Sequence, residues 1–226
     1  MKITLNGYGK MGKEIEKILL QREHTVEAIC DNTKQLIKIP TGDSVCIDFT
    51  TPDAFINNYK LIADKFSGVV VGTTGWYKSL PEVKKYFESK NKKLVYGTNF
   101  SVGVNILFEI ADFASSLLSK FNYAPYIIEL HHKEKKDSPS GTAGTLKKII
   151  NKNTGKDISV SSVRSGFIKG IHDIGFESNV DKINIRHEAY SREGLALGAV
   201  LAAEWLDKIN GIIDFKDLFK QNLKNI

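Results

Sequence analysis

Apolar runs alternate with amphipathic segments along the first hundred residues of the chain. The apolar runs predict strands near residues 1–6, 26–30, 45–49, 68–71 and 93–96. Helices are predicted between them, because Ile15, Ile18 and Leu19 share one helical face and because Pro52 and Pro81 each open a segment with helical spacing. Strands that alternate with helices indicate an α/β fold with a Rossmann-like, doubly wound and mainly parallel sheet.

The pattern changes after about residue 102. A helical segment at 105–120 is followed by a strand at 126–130, a helix at 142–153 and strand-like segments at 158–164, 173–178 and 181–187. This mixture predicts a second unit of α+β type. The last forty or so residues return to helix, with apolar faces in 196–206 and 215–219.

A glycine-rich turn follows the first predicted strand and precedes the first predicted helix. Its residues are Gly7, Tyr8, Gly9, Lys10, Met11 and Gly12, in the order G-x-G-x-x-G. Glycines there permit a tight turn and let backbone N–H groups approach a pyrophosphate, which the helix N-terminus also favours. Asp31 lies about 20 residues further on, where an acidic residue can hydrogen-bond a ribose hydroxyl. The motif predicts a dinucleotide cofactor, and a turn that only connects strand to helix is the alternative.

The choice between NADH and NADPH stays open at this level. Asp31 favours NADH because a carboxylate repels a 2′-phosphate, whereas Lys34 could attract one. We therefore expect NAD(P)H.

Small and hydroxyl-bearing residues follow the fourth and fifth predicted strands. They lie in the segment Gly72-Thr73-Thr74-Gly75 after the fourth strand and in the segment Gly97-Thr98-Asn99-Phe100-Ser101 after the fifth. Ligands of open α/β sheets bind outside the carboxyl ends of the strands, so both segments are predicted to contact the nicotinamide half of the cofactor.

A basic loop follows the predicted strand at 126–130 and ends at the start of a predicted helix. It contains His131, His132 and three lysines. Ser140 is a candidate N-cap, and the N–H groups of Gly141 and Thr142 would form a carboxylate site at the helix start. A solvated surface loop is the alternative interpretation of the charges. We predict no metal, because adjacent histidine side chains diverge and no third ligand stands at a recognisable spacing.

Composition limits the partners. Lys plus Arg exceed Asp plus Glu by 32 to 26, but the excess is spread over the chain without a basic helix or an RNA-binding signature, so we expect a small anionic ligand and no nucleic acid.

No apolar run is long enough to cross a bilayer and the first residues do not resemble a signal peptide, so we expect no membrane association and a cytoplasmic location. Cys30 and Cys46 form no Cys-x-x-Cys pair and are expected to be buried thiols.

Several motifs in order resemble the dihydrodipicolinate reductase family, in its short form. Its signature E-x-H-H-x-x-K-x-D-A-P-S-G-T-A matches residues 129–143, with Ser138 in place of the usual alanine. The likeness extends from the glycine turn through the segments 47–52, 72–75 and 99–105 to those at 164–172 and 187–199. The short stretch between Asp31 and Val45 indicates the short form.

The resemblance implies reduction of 4-hydroxy-tetrahydrodipicolinate, a cyclic dicarboxylate, by a hydride from NAD(P)H with loss of water, in the diaminopimelate route to lysine. It implies that His131 and Lys135 are the acid/base pair and favours Lys135 as the proton donor, while the sequence leaves the division of roles between the two open. Residues expected to bind the substrate carboxylate are His132, Ser140, Gly141 and Thr142.

The resemblance also implies a domain organisation and an assembly. Residues 1–102 and 193–226 would form the dinucleotide-binding domain, and residues 103–192 a substrate-binding domain through which four copies form a homotetramer. The chain departs from the family at Asn6, where many members have glycine, and at Glu193-Gly194-Leu195. Another Rossmann reductase, such as an aspartate dehydrogenase, and a non-catalytic dinucleotide sensor are the alternatives.

Overall fold

In a computed structural model of the chain, which describes residues 1–223, the polypeptide forms two compact units. One comprises Met1–Val102 and the segment from Arg192 onward, and the other comprises Gly103–Ser191. Arg192 is the N-cap of a helix that belongs to the first unit. The second unit therefore ends at Ser191, one residue before the end that the sequence predicts. In chain order the elements are β1 (Lys2–Asn6), α1 (Lys10–Gln21), β2 (Thr25–Cys30), α2 (Thr33–Lys38), β3 (Val45–Asp48), α3 (Pro52–Lys65), β4 (Gly68–Val71), α4 (Leu80–Ser89), β5 (Lys93–Tyr96), α5 (Val102–Leu118), β6 (Ala124–His131), α6 (Gly141–Thr154), β7 (Ser159–Arg164), β8 (Ile171–Glu177), β9 (Lys182–Glu188), α7 (Glu193–Glu204), β10 (Ile212–Asp214) and α8 (Phe215–Leu223).

The first unit is built on a six-stranded sheet in the order β10-β5-β4-β3-β1-β2, and all its strand pairs are parallel. β4 is buried along its whole length, as expected of a strand that helices cover on both faces. One apolar core packs α1 and α7 on one side of the sheet, and a second packs α3 and α4 on the other. The predicted Rossmann-like, doubly wound fold is confirmed.

The sequence pattern misses two elements of this unit. α2 has only six residues, and its N-cap Asn32 accepts a hydrogen bond from the N–H of Gln35. β10 has three residues and pairs with β5, and among the described strands it lies at the edge of the sheet. Segments this short are below the length at which periodicity identifies an element.

The order of the strands places a crevice next to β1. The chain continues from β1 to its neighbour β2 on one side, and then returns to β3 on the other side of β1. Such a reversal leaves a gap outside the carboxyl ends of the strands, where ligands of these sheets bind. The glycine turn begins at this edge, immediately after β1.

The second unit is a four-stranded sheet in the order β7-β6-β8-β9, covered on one face by α5 and α6. β6 pairs in parallel with β7 and antiparallel with β8, and β8 pairs antiparallel with β9. Residues alternate between the two faces of a strand, so Ile127, Glu129 and His131 of β6 all point toward the helices. This mixed sheet is the predicted α+β unit.

Among the described residues, the helices are all too short or too polar to cross a membrane.

Candidate active site

The glycine turn of the first unit has the geometry that its motif predicts. Gly7 has φ +91°, and a Cβ there would lie 2.5 Å from the carbonyl oxygen of Phe49, so no other residue is accommodated. A Cβ at Gly12 would lie 2.3 Å from the carbonyl oxygen of Gly7, so glycine at position 12 lets α1 pack closely against the turn. A Cβ at Gly9 would meet no protein atom within 4 Å. Packing therefore does not require glycine at position 9, whereas the close approach of a pyrophosphate would.

A pocket of about 490 Å³ opens at the crevice beside the turn. Its lining includes the predicted residues Gly7, Tyr8, Gly9 and Asp31, together with residues after β3 and at the start of α3. Asp31 is exposed at the end of β2, and its Oδ1 accepts a hydrogen bond of 2.6 Å from the N–H of Tyr8. The acidic residue and the turn are thus brought together, as the spacing predicts.

The other predicted cofactor residues differ in their surroundings. Lys10 and Met11 form the first turn of α1, with Lys10 exposed and Met11 packed against the core. Thr74 and Thr98 are exposed at the strand ends. Phe100 is 2% exposed and stacks on Phe215 with ring centroids 4.5 Å apart, so its side chain is part of the core.

Asp48, at the end of β3, joins three strand ends and was not singled out from the sequence. This buried carboxylate accepts hydrogen bonds from Asn6 Nδ2 (2.5 Å), Thr50 Oγ1 (2.9 Å) and Thr73 Oγ1 (2.8 Å). Burial raises the pKa of Asp48 above its ordinary value, and the hydrogen bonds from Thr73, Asn6 and Thr50 oppose that rise. Asn6, which departs from the family pattern, therefore has a defined partner.

In the second unit, Glu129 and His131 form a buried pair at the end of β6. His131 is 7% exposed and Glu129 is fully buried. His131 Nδ1 is in hydrogen-bond contact with Glu129 Oε2, and Arg164 Nη2 donates to Glu129 Oε1 at 2.7 Å. Arg164 lies directly beside His131 in the β6–β7 register. Burial lowers the pKa of His131 below its ordinary value, although the Glu129 carboxylate opposes that effect.

Two further histidines lie beside this pair. His172 of β8 is opposite Glu129, and His187 of β9 is opposite His172. The ring centroids of His131 and His172 are 5.2 Å apart, and those of His172 and His187 are 6.4 Å apart. Burial and the neighbouring His131 lower the pKa of His172 to about 4, so its imidazole is neutral at physiological pH.

Ser140 connects this cluster to α6. Its Oγ accepts a hydrogen bond from the N–H of Ala143, which makes it the predicted N-cap, and lies 3.2 Å from His172 Nε2. Its own N–H donates to Glu129 Oε1 at 3.2 Å. The predicted residues His131 and Ser140 are therefore held by one carboxylate.

The loop between β6 and α6 carries the remaining predicted residues. Lys135 is half-buried and pairs with Asp137 at 2.8 Å. The Lys135 ammonium, helped by a hydrogen bond from the N–H of Gly141, holds the pKa of Asp137 below its ordinary value. His132 is also half-buried, and its carbonyl accepts a hydrogen bond from the N–H of Lys135. Gly141 and Thr142 are the first two residues of α6, where a carboxylate site was predicted.

Three of the clustered residues have the spacing of metal ligands. Glu129, His131 and His172 each place one ligand atom within 4.8 Å of the others, although the sequence predicts no metal. His132, the neighbour considered from sequence, is not a member of this group. The Arg164 guanidinium lies 2.7 Å from Glu129 and already supplies a positive charge there, which opposes cation binding.

Sequence reasoning assigned no role to Glu129, Arg164, His172 or His187. All four lie within the segments that resemble the family, and that resemblance is the sequence feature that could have pointed to them. Their grouping depends on strand register, which periodicity does not reveal.

Comparison with known proteins finds matches to both halves of the chain. A family model described as the N-terminus of dihydrodipicolinate reductase matches residues 1–100, and one described as its C-terminus matches residues 103–219. The 4-hydroxy-tetrahydrodipicolinate reductase of Christiangramia forsetii is 35% identical, with 100% of both chains covered. That of Thermosipho africanus is 36% identical, with 94% of both chains covered.

The fold is similar to a solved structure of the same family. Dihydrodipicolinate reductase from Paenisporosarcina sp. TG-14, with dipicolinate bound, gives a TM-score of 0.77 at 21% identity and covers 95% of this chain and 97% of that one. Identity this low shows the fold alone. The assignment to a family is carried by the two family models and by the curated relatives. The chain belongs to the dihydrodipicolinate reductase family of NAD(P)-dependent oxidoreductases.

Proposed function

We propose that this protein reduces 4-hydroxy-tetrahydrodipicolinate to tetrahydrodipicolinate with loss of water, using a hydride from NAD(P)H. This is the activity for which its curated relatives are named, and it is one step of the diaminopimelate route of lysine biosynthesis. The observation that carries the proposal is the buried histidine cluster beside the start of α6, because it combines a proton-transfer group with a helix start suited to a carboxylate.

The first unit has the role of holding the cofactor. The glycine turn provides backbone N–H groups for the pyrophosphate, and Asp31 provides a carboxylate for a ribose hydroxyl. The residues proposed to contact NAD(P)H are Gly7, Tyr8, Gly9, Lys10, Met11, Gly12, Asp31, Gly72, Thr73, Thr74, Gly97, Thr98, Asn99 and Phe100. For Phe100 the contact would come from its backbone, since its ring is buried.

The second unit has the role of binding substrate and transferring protons. An ammonium is a proton donor, so Lys135 is proposed as the general acid, with His131 as its acid/base partner. His132, Ser140, Gly141 and Thr142 are proposed to bind a substrate carboxylate, which the positive end of the α6 dipole favours. Asp137 pairs with Lys135 and would hold its ammonium in place until substrate arrives.

The assembly and the location are part of the same proposal. A homotetramer is supported by a row of exposed apolar side chains on α5, in which Phe113 is 66% exposed. A cytoplasmic location is supported by the use of NAD(P)H in amino-acid biosynthesis. The proposed partner is a small dicarboxylate and not a nucleic acid, because the excess positive charge is dispersed.

Steady-state kinetics test the reaction. NADH or NADPH oxidation should depend on freshly made 4-hydroxy-tetrahydrodipicolinate, and Lys135→Ala should lower kcat/KM by about 10²- to 10⁴-fold because the positioned proton donor is lost. His131→Ala should act in the same direction. Lys136→Ala removes the neighbouring, exposed lysine and should leave kcat/KM unchanged.

Two outcomes would contradict this assignment. Oxidation of cofactor that ignores the substrate points to another reductase. Tight cofactor binding without turnover, unaffected by Lys135→Ala and His131→Ala, points to a dinucleotide sensor.

A further inference from the structure

Glu129 is a buried carboxylate whose two oxygens serve different neighbours. Oε2 contacts His131 Nδ1. Oε1 accepts from the N–H of Ser140 at 3.2 Å and from Arg164 Nη2 at 2.7 Å. The carboxylate thus links the proposed acid/base histidine to the start of the helix proposed to bind substrate.

The surroundings keep Glu129 ionised. Burial alone would raise the pKa of this carboxyl, but hydrogen bonds from Arg164, Ser162 and the N–H of Ser140 lower it, and so does the charge that His131 carries at the low pH where this carboxyl titrates. Together they outweigh burial and lower the pKa to about 2. An ionised carboxylate only accepts hydrogen bonds. The nitrogen that contacts it must therefore carry a proton.

The consequence concerns the tautomer of His131. Its pKa is lowered by burial, so the ring is predominantly neutral near pH 7 and carries one proton. Contact with an ionised carboxylate places that proton on Nδ1 and leaves the lone pair on Nε2. The Nε2 atom lies beside Gly170, where a Cβ would come within 3.2 Å of it.

We propose that Glu129 is the positioning residue that fixes the tautomer and ring orientation of His131, with Nε2 as the atom available for proton transfer. The proposal rests on the proposed function for the role of His131, but the tautomer itself is a property of the free protein. Arg164 and the N–H of Ser140 hold the second oxygen of Glu129 and so fix the carboxylate that holds the ring.

Glu129→Gln gives a directional test. Arg164 and the Ser140 N–H are donors, so they should select the carbonyl oxygen of the new amide and turn its NH₂ group toward His131 Nδ1. Nδ1 would then have to accept a hydrogen bond, and the proton of the neutral ring should move to Nε2. The variant should lose at least about tenfold in kcat/KM because the lone pair is on the wrong nitrogen.

The tautomer is measured by ¹⁵N NMR of histidine-labelled protein, which is practicable because the chain has five histidines. The His131 signals are assigned from the spectrum of His131→Gln. In the wild type above pH 7 we expect the Nδ1–H form, and in Glu129→Gln the Nε2–H form. Glu134→Gln neutralises an exposed carboxylate of the following loop and should leave both the tautomer and kcat/KM unchanged.

Each result decides the proposal. A wild-type His131 with its proton on Nε2 overturns it even if Glu129→Gln does not fold, and so does a folded Glu129→Gln that keeps the Nδ1–H form and wild-type kcat/KM. The NMR spectrum is recorded without substrate. If the wild type fails to turn over the substrate, the proposed function fails, while the tautomer result stands separately.

Discussion

Asp48 shows how one buried side chain can organise a binding edge. It receives hydrogen bonds from residues that end β1, follow β3 and follow β4, so the three strand ends share one acceptor. Thr73 also accepts a 2.8 Å hydrogen bond from the N–H of Thr50. Asn6 and Thr50 line the pocket beside the glycine turn, and Asp48 therefore supports the proposed cofactor site from beneath.

Asp31 is the residue through which we expect the chain to select its cofactor. Its Oδ1 accepts a hydrogen bond from the N–H of Tyr8, and in the proposed cofactor site this carboxylate would repel a 2′-phosphate. Asp31→Asn keeps an acceptor for Tyr8 and removes the charge. It should raise the ratio of kcat/KM for NADPH to that for NADH by about tenfold, the effect of about 1.4 kcal/mol of relieved repulsion.

The control for this prediction is Asp43→Asn, which removes an exposed carboxylate away from the pocket. It should leave the ratio at the wild-type value. An unchanged ratio in Asp31→Asn would show that the carboxylate does not determine the preference.

At the scale of elements, α5 has apolar residues on two faces. Val104, Leu107, Phe108 and Ala111 are buried against the second sheet. A second row is exposed, and its members are Ile106, Ile110, Phe113 and Leu117. Helices that cover only a sheet are normally polar on the outer face, so this row is suited to a contact between copies of the chain.

Phe113→Asp tests that contact. A charge placed in an apolar interface is costly, so the molar mass measured by light scattering should fall from that of a tetramer toward smaller species. Leu20→Asp alters a similarly exposed apolar residue of the first unit and should keep the wild-type mass. Circular dichroism checks that both variants are folded. A tetrameric Phe113→Asp protein would refute a role for this face of α5, and a monomeric wild type would refute the tetramer.

The sequence predicted the elements well where each has its own apolar run or a clear helical start. β4 and β5 occupy the predicted residues, and α3 begins at Pro52 as predicted. In the second unit, His131 and Ser140 could be predicted from the sequence because they lie where a strand and a helix meet the loop. Glu129 could not be assigned, because its importance comes from pairing with Arg164 and His172 on other strands.

At the scale of the whole molecule, the buried titratable groups of the second unit make its stability depend on pH. Burial lowers the pKa values of His131, His172 and His187, and that of His172 reaches about 4. A histidine with a lowered pKa in the folded state binds more protons when the chain unfolds, so stability falls as the pH falls below about 6.5. Glu129 has a lowered pKa of about 2, so its contribution is present above about 4.5 and is lost between about 4.5 and 2.

His172→Gln isolates the first of these windows. Glutamine retains a polar group near the position of Nε2, which can still bond Ser140, but it does not titrate. Between pH 7.5 and pH 4, the wild type should lose about 3 kcal/mol more unfolding free energy than the variant, as measured by urea denaturation at fixed protein concentration. His132→Gln removes a histidine outside the buried cluster and should keep the wild-type dependence on pH. If His172→Gln loses stability as steeply as the wild type, protonation of His172 is not what destabilises the fold in this range, and the remaining loss must arise from other groups.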